Sequence, residues 1–131
     1  MRFLGIDYGT KRIGLAISDE NHSLAFPKEI ILNDRNVFKH IGDILRTENI
    51  SEVVVGESLD FSGQPNPISR EIEDFISKLK EQFGVKVHNQ KEFLTSVEAR
   101  RYNNSKERQF ADASAAALIL QRYLDKINQN K

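Results

Sequence analysis

The run Phe3-Leu4-Gly5-Ile6-Asp7 is apolar up to its last residue, ends on a carboxylate, and then passes through Gly9 into Thr10-Lys11-Arg12. Beyond it Ile13, Leu15 and Ile17 alternate with Gly14, Ala16 and Ser18, the period of a strand with one buried face. Two strands joined by a tight turn at 8–11 make a β-hairpin whose first strand ends on Asp7. A carboxylate at a strand tip suits a divalent metal. The hydroxyl, backbone amides and two cations behind it suit a phosphate ester. Phosphate chemistry is the first expectation from these residues.

The chain of 131 residues is long enough for one sizeable core and too short for two full domains. A single domain over 1–126 with a frayed tail at 127–131 is expected. Nineteen basic and nineteen acidic residues give a formal net charge of zero, so nucleic acid cannot be held by bulk attraction and any contact needs a local patch. Without cysteine, thiolate zinc sites and a cysteine nucleophile are excluded. No apolar run approaches membrane-spanning length, and Asp7 interrupts any leader-like start; a soluble cytoplasmic protein with no membrane partner is expected.

Pro27 near the start of a third extended segment, Phe26 to Leu32, fits an edge strand. From about Asp34, Val37, Ile41, Ile44 and Leu45 take up helical spacing, and Val53-Val54-Val55-Gly56 reads as a strand buried on both faces. A polar loop is expected from Glu57 to Asn66. Asn66-Pro67 then starts a helix carrying the stripe Ile68, Ile72, Phe75, Ile76, Leu79 and Phe83, which Gly84 stops. Val85 to His88 supplies a short strand. Thr95-Ser96-Val97-Glu98 has capping-box spacing for a short helix through Tyr102. After a polar loop at 103–109, a last helix from about Phe110 to Lys126 carries enough alanine to lie close to a sheet. The order β-β-β-α-β-α-β-α-α predicts an α/β fold: a mixed sheet of five strands, the first three antiparallel, with helices on both faces.

Four acids are candidates for chemistry. Asp7 could instead bond the backbone of its own turn. Asp112 could serve the dipole of a helix start, but it lines up with Ala115, Ala116, Ile119 and Tyr123 on the stripe facing the sheet, where an acid needs a partner. Glu57 follows the valine strand at the carboxyl end, where open α/β sheets place ligands. Glu92, just beyond the short strand, is a fallback for the same edge. Gly9, Thr10, Lys11 and Arg12 would bind phosphate, with Arg70 a weaker candidate among other scattered cations. His22, His40 and His88 show no ligand spacing.

The segments Gly5-Ile6-Asp7-Tyr8-Gly9-Thr10-Lys11-Arg12-Ile13-Gly14-Leu15-Ala16, Val53-Val54-Val55-Gly56, Leu94-Thr95-Ser96-Val97-Glu98-Ala99 and Asp112-Ala113-Ser114-Ala115-Ala116 resemble the YqgF (RuvX) family over nearly the whole chain. That resemblance implies a ribonuclease-H-like fold and a nuclease dependent on Mg2+ or Mn2+. Its substrate would be the 5′ end of pre-16S ribosomal RNA, branched DNA of the Holliday-junction type, or both. Nucleic acid is the expected partner, with ribosomal particles a further candidate, and a monomer or weak homodimer is expected. Asp7 matches the family's first-strand acid and Asp112 the acid of its final helix. Where the family has Asp-Glu-Arg-Leu-Thr, this chain has Lys91-Glu92-Phe93-Leu94-Thr95, so the middle acid is assigned to Glu57, with Glu92 behind it. Two rivals stay open. One is a non-catalytic RNA- or ribosome-binding module of the same fold. The other is a lobe binding ATP as actin and sugar kinases do, which the length disfavours.

Overall fold

In the computed structural model residues 1–59, 69–93 and 105–129 are described, with side chains at 1–56, 69–90 and 115–129. Strands β1 (Arg2–Asp7), β2 (Arg12–Ser18) and β3 (Ala25–Leu32) form the expected antiparallel meander. Helix α1 (Val37–Thr47) leads to β4 (Ile50–Leu59), α2 (Ser69–Phe83) to β5 (Lys86–Phe93), and α3 (Ser105–Gln129) closes the described chain. The sheet order is β3-β2-β1-β4-β5, with β4 parallel to both β1 and β5. Pro27, which cannot donate to a ladder, sits on the edge strand as predicted, beside a register shift in β2–β3 pairing.

Alternation along the central strands sends side chains to two separate cores. Leu4, Ile6, Val53 and Val55 pack with Ile41 and Ile44 of α1 and with Ile72, Phe75, Ile76 and Leu79 of α2. Phe3, Ala16 and Val54 pack on the other face with Ala116, Ile119, Leu120 and Leu124 of α3. The valine run is therefore buried on both sides, as expected for a central parallel strand. Each such Ile, Leu or Val removed from water contributes about 1.5–3 kcal/mol, so the two faces hold the helices firmly.

Four expectations change. Residues 57–59 continue β4 instead of opening a loop, because parallel pairing carries on through Glu57↔Lys91, Ser58↔Glu92 and Leu59↔Phe93. Backbone ladder bonds outweigh the polar side chains there. For the same reason Lys91 and Glu92 lie within β5, which outlasts the short strand expected at 85–88. The last helix begins at Ser105 rather than near Phe110; Lys106, Glu107, Arg108 and Gln109 are good helix formers with no glycine or proline among them, and polarity alone does not make a loop. Its other end runs to Gln129, with Ile127 against the α3 core and Asn128 Nδ2 donating to the His22 carbonyl at 3.0 Å, where a tail was expected. Gly84, at φ +60°, ends α2 as predicted. The Asn66-Pro67 helix start and the capping box at 95–98 lie outside the described residues.

Candidate active site

Asp7 closes β1, half-buried, opposite Gly14 of β2 and Gly56 of β4. Its face follows from its neighbours two and four residues back. Phe3 belongs to the α3 core and Gly5 lies under Leu120, so alternation assigns Asp7 to the α3 face. α3 runs opposite to β1: Phe3 lies 6.2 Å from the Tyr123 ring, and Gly5 meets Leu120 and the Ala116 carbonyl. Continuing toward Asp7 climbs toward the start of the helix. Position 112, one turn (about 6 Å) before Ala116, thus falls at the Asp7 end of the sheet. It is the eighth residue of α3, so it sits beyond the first turn, where a dipole role would have explained it.

Positions 57 and 92 reach the same rim on different faces by register. Position 57 alternates with Val53 and Val55, on the α1–α2 side. Position 92 pairs with Ser58 and alternates with His88, whose ring stacks on Tyr123 of α3 at 4.8 Å. Register therefore places 92, not 57, on the face shared by Asp7 and position 112. Position 57 is nearer along the sheet, about 5 Å across and 3 Å along from Asp7, against about 10 Å and 7 Å for 92. Of the four acids only Asp7 has its side chain among those described, and among the described residues no three His, Cys, Asp or Glu side chains cluster.

The turn after Asp7 is built tightly. A Cβ on Gly9 would lie 2.4 Å from the Arg12 carbonyl oxygen, so only glycine fits. Asn33, just past β3, holds the turn from behind: its Nδ2 donates to the Gly9 carbonyl and its backbone N–H to the Lys11 carbonyl, each at 2.9 Å. Thr10, Lys11 and Arg12 are exposed at this rim, and exposed Arg70 lies in the first turn of α2, which starts there. The starts of α1 and α2 face this end beside Tyr8, adding partial positive charge where an anion would sit.

Asn33, Gly5 and Gly56 were missed as site-building residues. A glycine inside a strand pattern signals close approach of another backbone, and here it admits α3. Nothing in its own segment marks Asn33.

Residues 1–126 match the family model for RuvX, described as Holliday junction resolvase. A protein named "Putative pre-16S rRNA nuclease" from Ruminiclostridium cellulolyticum is 35% identical, covering 100% of this chain and 99% of its own. The chain belongs to the RuvX family, a family of nucleases. A relative of the same name from Sulfurihydrogenibium sp. is 36% identical over 97% of this chain and 92% of its own. Among solved structures, Thermus thermophilus RuvC in complex with Holliday junction substrate superposes with a TM-score of 0.60 at 15% identity, covering 95% of this chain and 93% of that one. The fowlpox virus resolvase, complexed with Holliday junction DNA, gives 0.56 at 15% identity, covering 97% and 99%. These likenesses establish the ribonuclease-H-like fold for this RuvX chain. Among its described residues no helix is long and apolar enough to cross a membrane.

Proposed function

We propose that this protein is a metal-dependent nuclease that hydrolyses phosphodiester bonds at the rim holding Asp7, acting on the 5′ end of pre-16S ribosomal RNA, on four-way DNA junctions, or on both. The observation that carries this reading is the placement of Asp7 and position 112 at one end of the same sheet face. Asp7, Asp112 and a middle acid form an all-oxygen donor set, the chemistry that Mg2+ and Mn2+ require. Register favours Glu92 for the middle place; Glu57 is nearer but on the other face. Bound there, the cation supplies a Lewis acid that lowers the pKa of water and offsets charge on the phosphate. Without it the acids repel one another and the substrate.

The chain's own residues position the phosphate. Lys11 and Arg12 would neutralise it, and the turn whose Gly9 and Lys11 carbonyls Asn33 holds would present the backbone N–H groups of Gly9 and Thr10 to it. Such contacts set register without reading bases. A chain with no net charge needs such a local patch to hold nucleic acid.

The test is cleavage of a labelled pre-16S 5′ fragment and of a four-way junction, each with Mn2+ and with chelator. Asp7→Asn should remove metal-dependent cleavage of the true substrate while leaving the thermal transition in place. Equal cleavage by wild type and variant would overturn the assignment. Binding without cleavage in the wild type would favour the binding-module reading.

A further inference from the structure

A cleft of about 590 Å³ opens on the other side of the Asp7 rim, between the start of α1 and the face of α2. It falls in the size range of small-molecule sites, about 300–1,000 Å³. Its apolar wall is aromatic: Tyr8 packs on Phe75 with ring centroids 4.9 Å apart, and Phe38 on the same ring at 5.4 Å. Phe75 is buried, whereas Tyr8 and Phe38 are half-buried and keep ring surface toward solvent. Its charged groups are Asp34, Glu71 and Asp74 against Arg35 and Lys78.

That balance selects an occupant. Three carboxylates against two cations disfavour a phosphate, while aromatic surface favours a flat ring and carboxylates favour an edge rich in N–H donors. The cleft is also continuous with the phosphate turn. Tyr8 follows Asp7 in the chain, and Asn33 both lines the cleft and bonds Gly9. A strand whose phosphate rests on residues 9–12 would have a neighbouring base at the cleft mouth.

Resting on the nuclease reading above, we infer that the cleft receives an unpaired guanine next to the bound phosphate, stacked on Tyr8 and Phe38 and read by the carboxylate of Glu71. Guanine alone among the four bases presents two adjacent N–H donors on its Watson–Crick edge, which one carboxylate accepts together. Adenine and cytosine place a ring acceptor beside their amino group, and uracil flanks its single N–H with carbonyls. Single-stranded recognition by stacking plus edge bonding is the usual route to base preference in RNA. Glu71 is exposed and its Oε2 lies 3.5 Å from the Tyr8 hydroxyl, so the carboxylate and the stacking ring border the same space.

Fluorescence anisotropy of the full chain, in chelator, with uridine nonamers carrying a central guanosine, inosine or adenosine tests this without any cleavage. Wild type should bind the guanosine strand about tenfold tighter than the other two. Glu71→Gln should erase that difference, and Phe38→Leu should weaken all three strands by about fivefold or more, with circular dichroism confirming that it is folded. Equal binding of the three strands by wild type, or an undiminished guanosine preference in Glu71→Gln, would refute the guanine site. If that happened while Asp7-dependent cleavage persisted, the nuclease reading would stand alone; a guanosine preference without any cleavage would be the reverse result.

Discussion

Gly5 of β1 lies directly beneath Leu120 of α3: a Cβ at position 5 would stand 2.7 Å from the Leu120 Cβ and 3.0 Å from the Ala116 carbonyl oxygen. Neither atom belongs to a flexible side-chain end, so relief requires moving the helix. Gly5→Ala should therefore cost about 1–3 kcal/mol by overpacking. Because α3 carries Asp112, the same variant should bind Mn2+ more weakly than its lost stability explains. Chemical denaturation and metal titration on one preparation check both.

The choice of middle acid is testable by metal affinity. Glu92→Gln should reduce Mn2+ binding about tenfold or more, while Glu57→Gln should leave it within about twofold, as register on the α3 face predicts. Isothermal titration of both variants reads this. The opposite ranking would return the role to Glu57.

Asn33→Ala removes the 2.9 Å bond that holds the Gly9 carbonyl from behind. The expected loss of stability is about 0.5–1.5 kcal/mol. Because the turn positions phosphate, KM for the cleaved substrate should rise more than kcat falls. Steady-state kinetics separates the two, and a pure kcat loss would contradict a positioning role.

At the opposite rim, Asp19 accepts the backbone N–H groups of Ser23 (2.8 Å) and Leu24 (3.1 Å) and the Ser23 hydroxyl (2.8 Å), which together hold its carboxyl below the ordinary carboxylate range. Glu48 is lowered likewise, first by Lys28 and then by Arg2. In both cases the native state binds fewer protons than the unfolded chain as pH falls through that range. Their contribution is present above the ordinary carboxylate value and is lost as pH drops through the lowered native one. Asp19→Asn should flatten part of the acid limb of the stability curve, as followed by thermal melts from neutral to acidic pH.

Ser18 is the buried polar residue among those described, 1% exposed, taking the Phe3 N–H at 2.8 Å and donating to the Asp19 carbonyl at 2.9 Å. Ser18→Ala leaves the buried Phe3 amide unpaired and should cost about 1–3 kcal/mol. Equilibrium unfolding in urea measures it.

The hairpin, the valine strand and the stripe of α2 were legible because each carries a strict period of apolar residues, and that period follows from local geometry. Asp7 was legible for a related reason: a carboxylate ending an apolar run before a glycine turn can only stand at a strand tip. The ends of β4, β5 and α3 were not. Glu57, Glu92 and Lys106 look like loop residues, and what makes the first two strand residues is a ladder between segments more than 30 apart in the chain.

Local pattern thus dictated the strands and most of the helices, the rim where phosphate chemistry would occur, and the family to which the chain belongs. Which acids share a face was beyond it. Alternation assigns faces only once a register is known, and register comes from pairing β4 with β5 and from laying α3 over Gly5 and Gly56. Both are contacts between distant segments, set by packing volume and ladder bonds that no short window of residues contains.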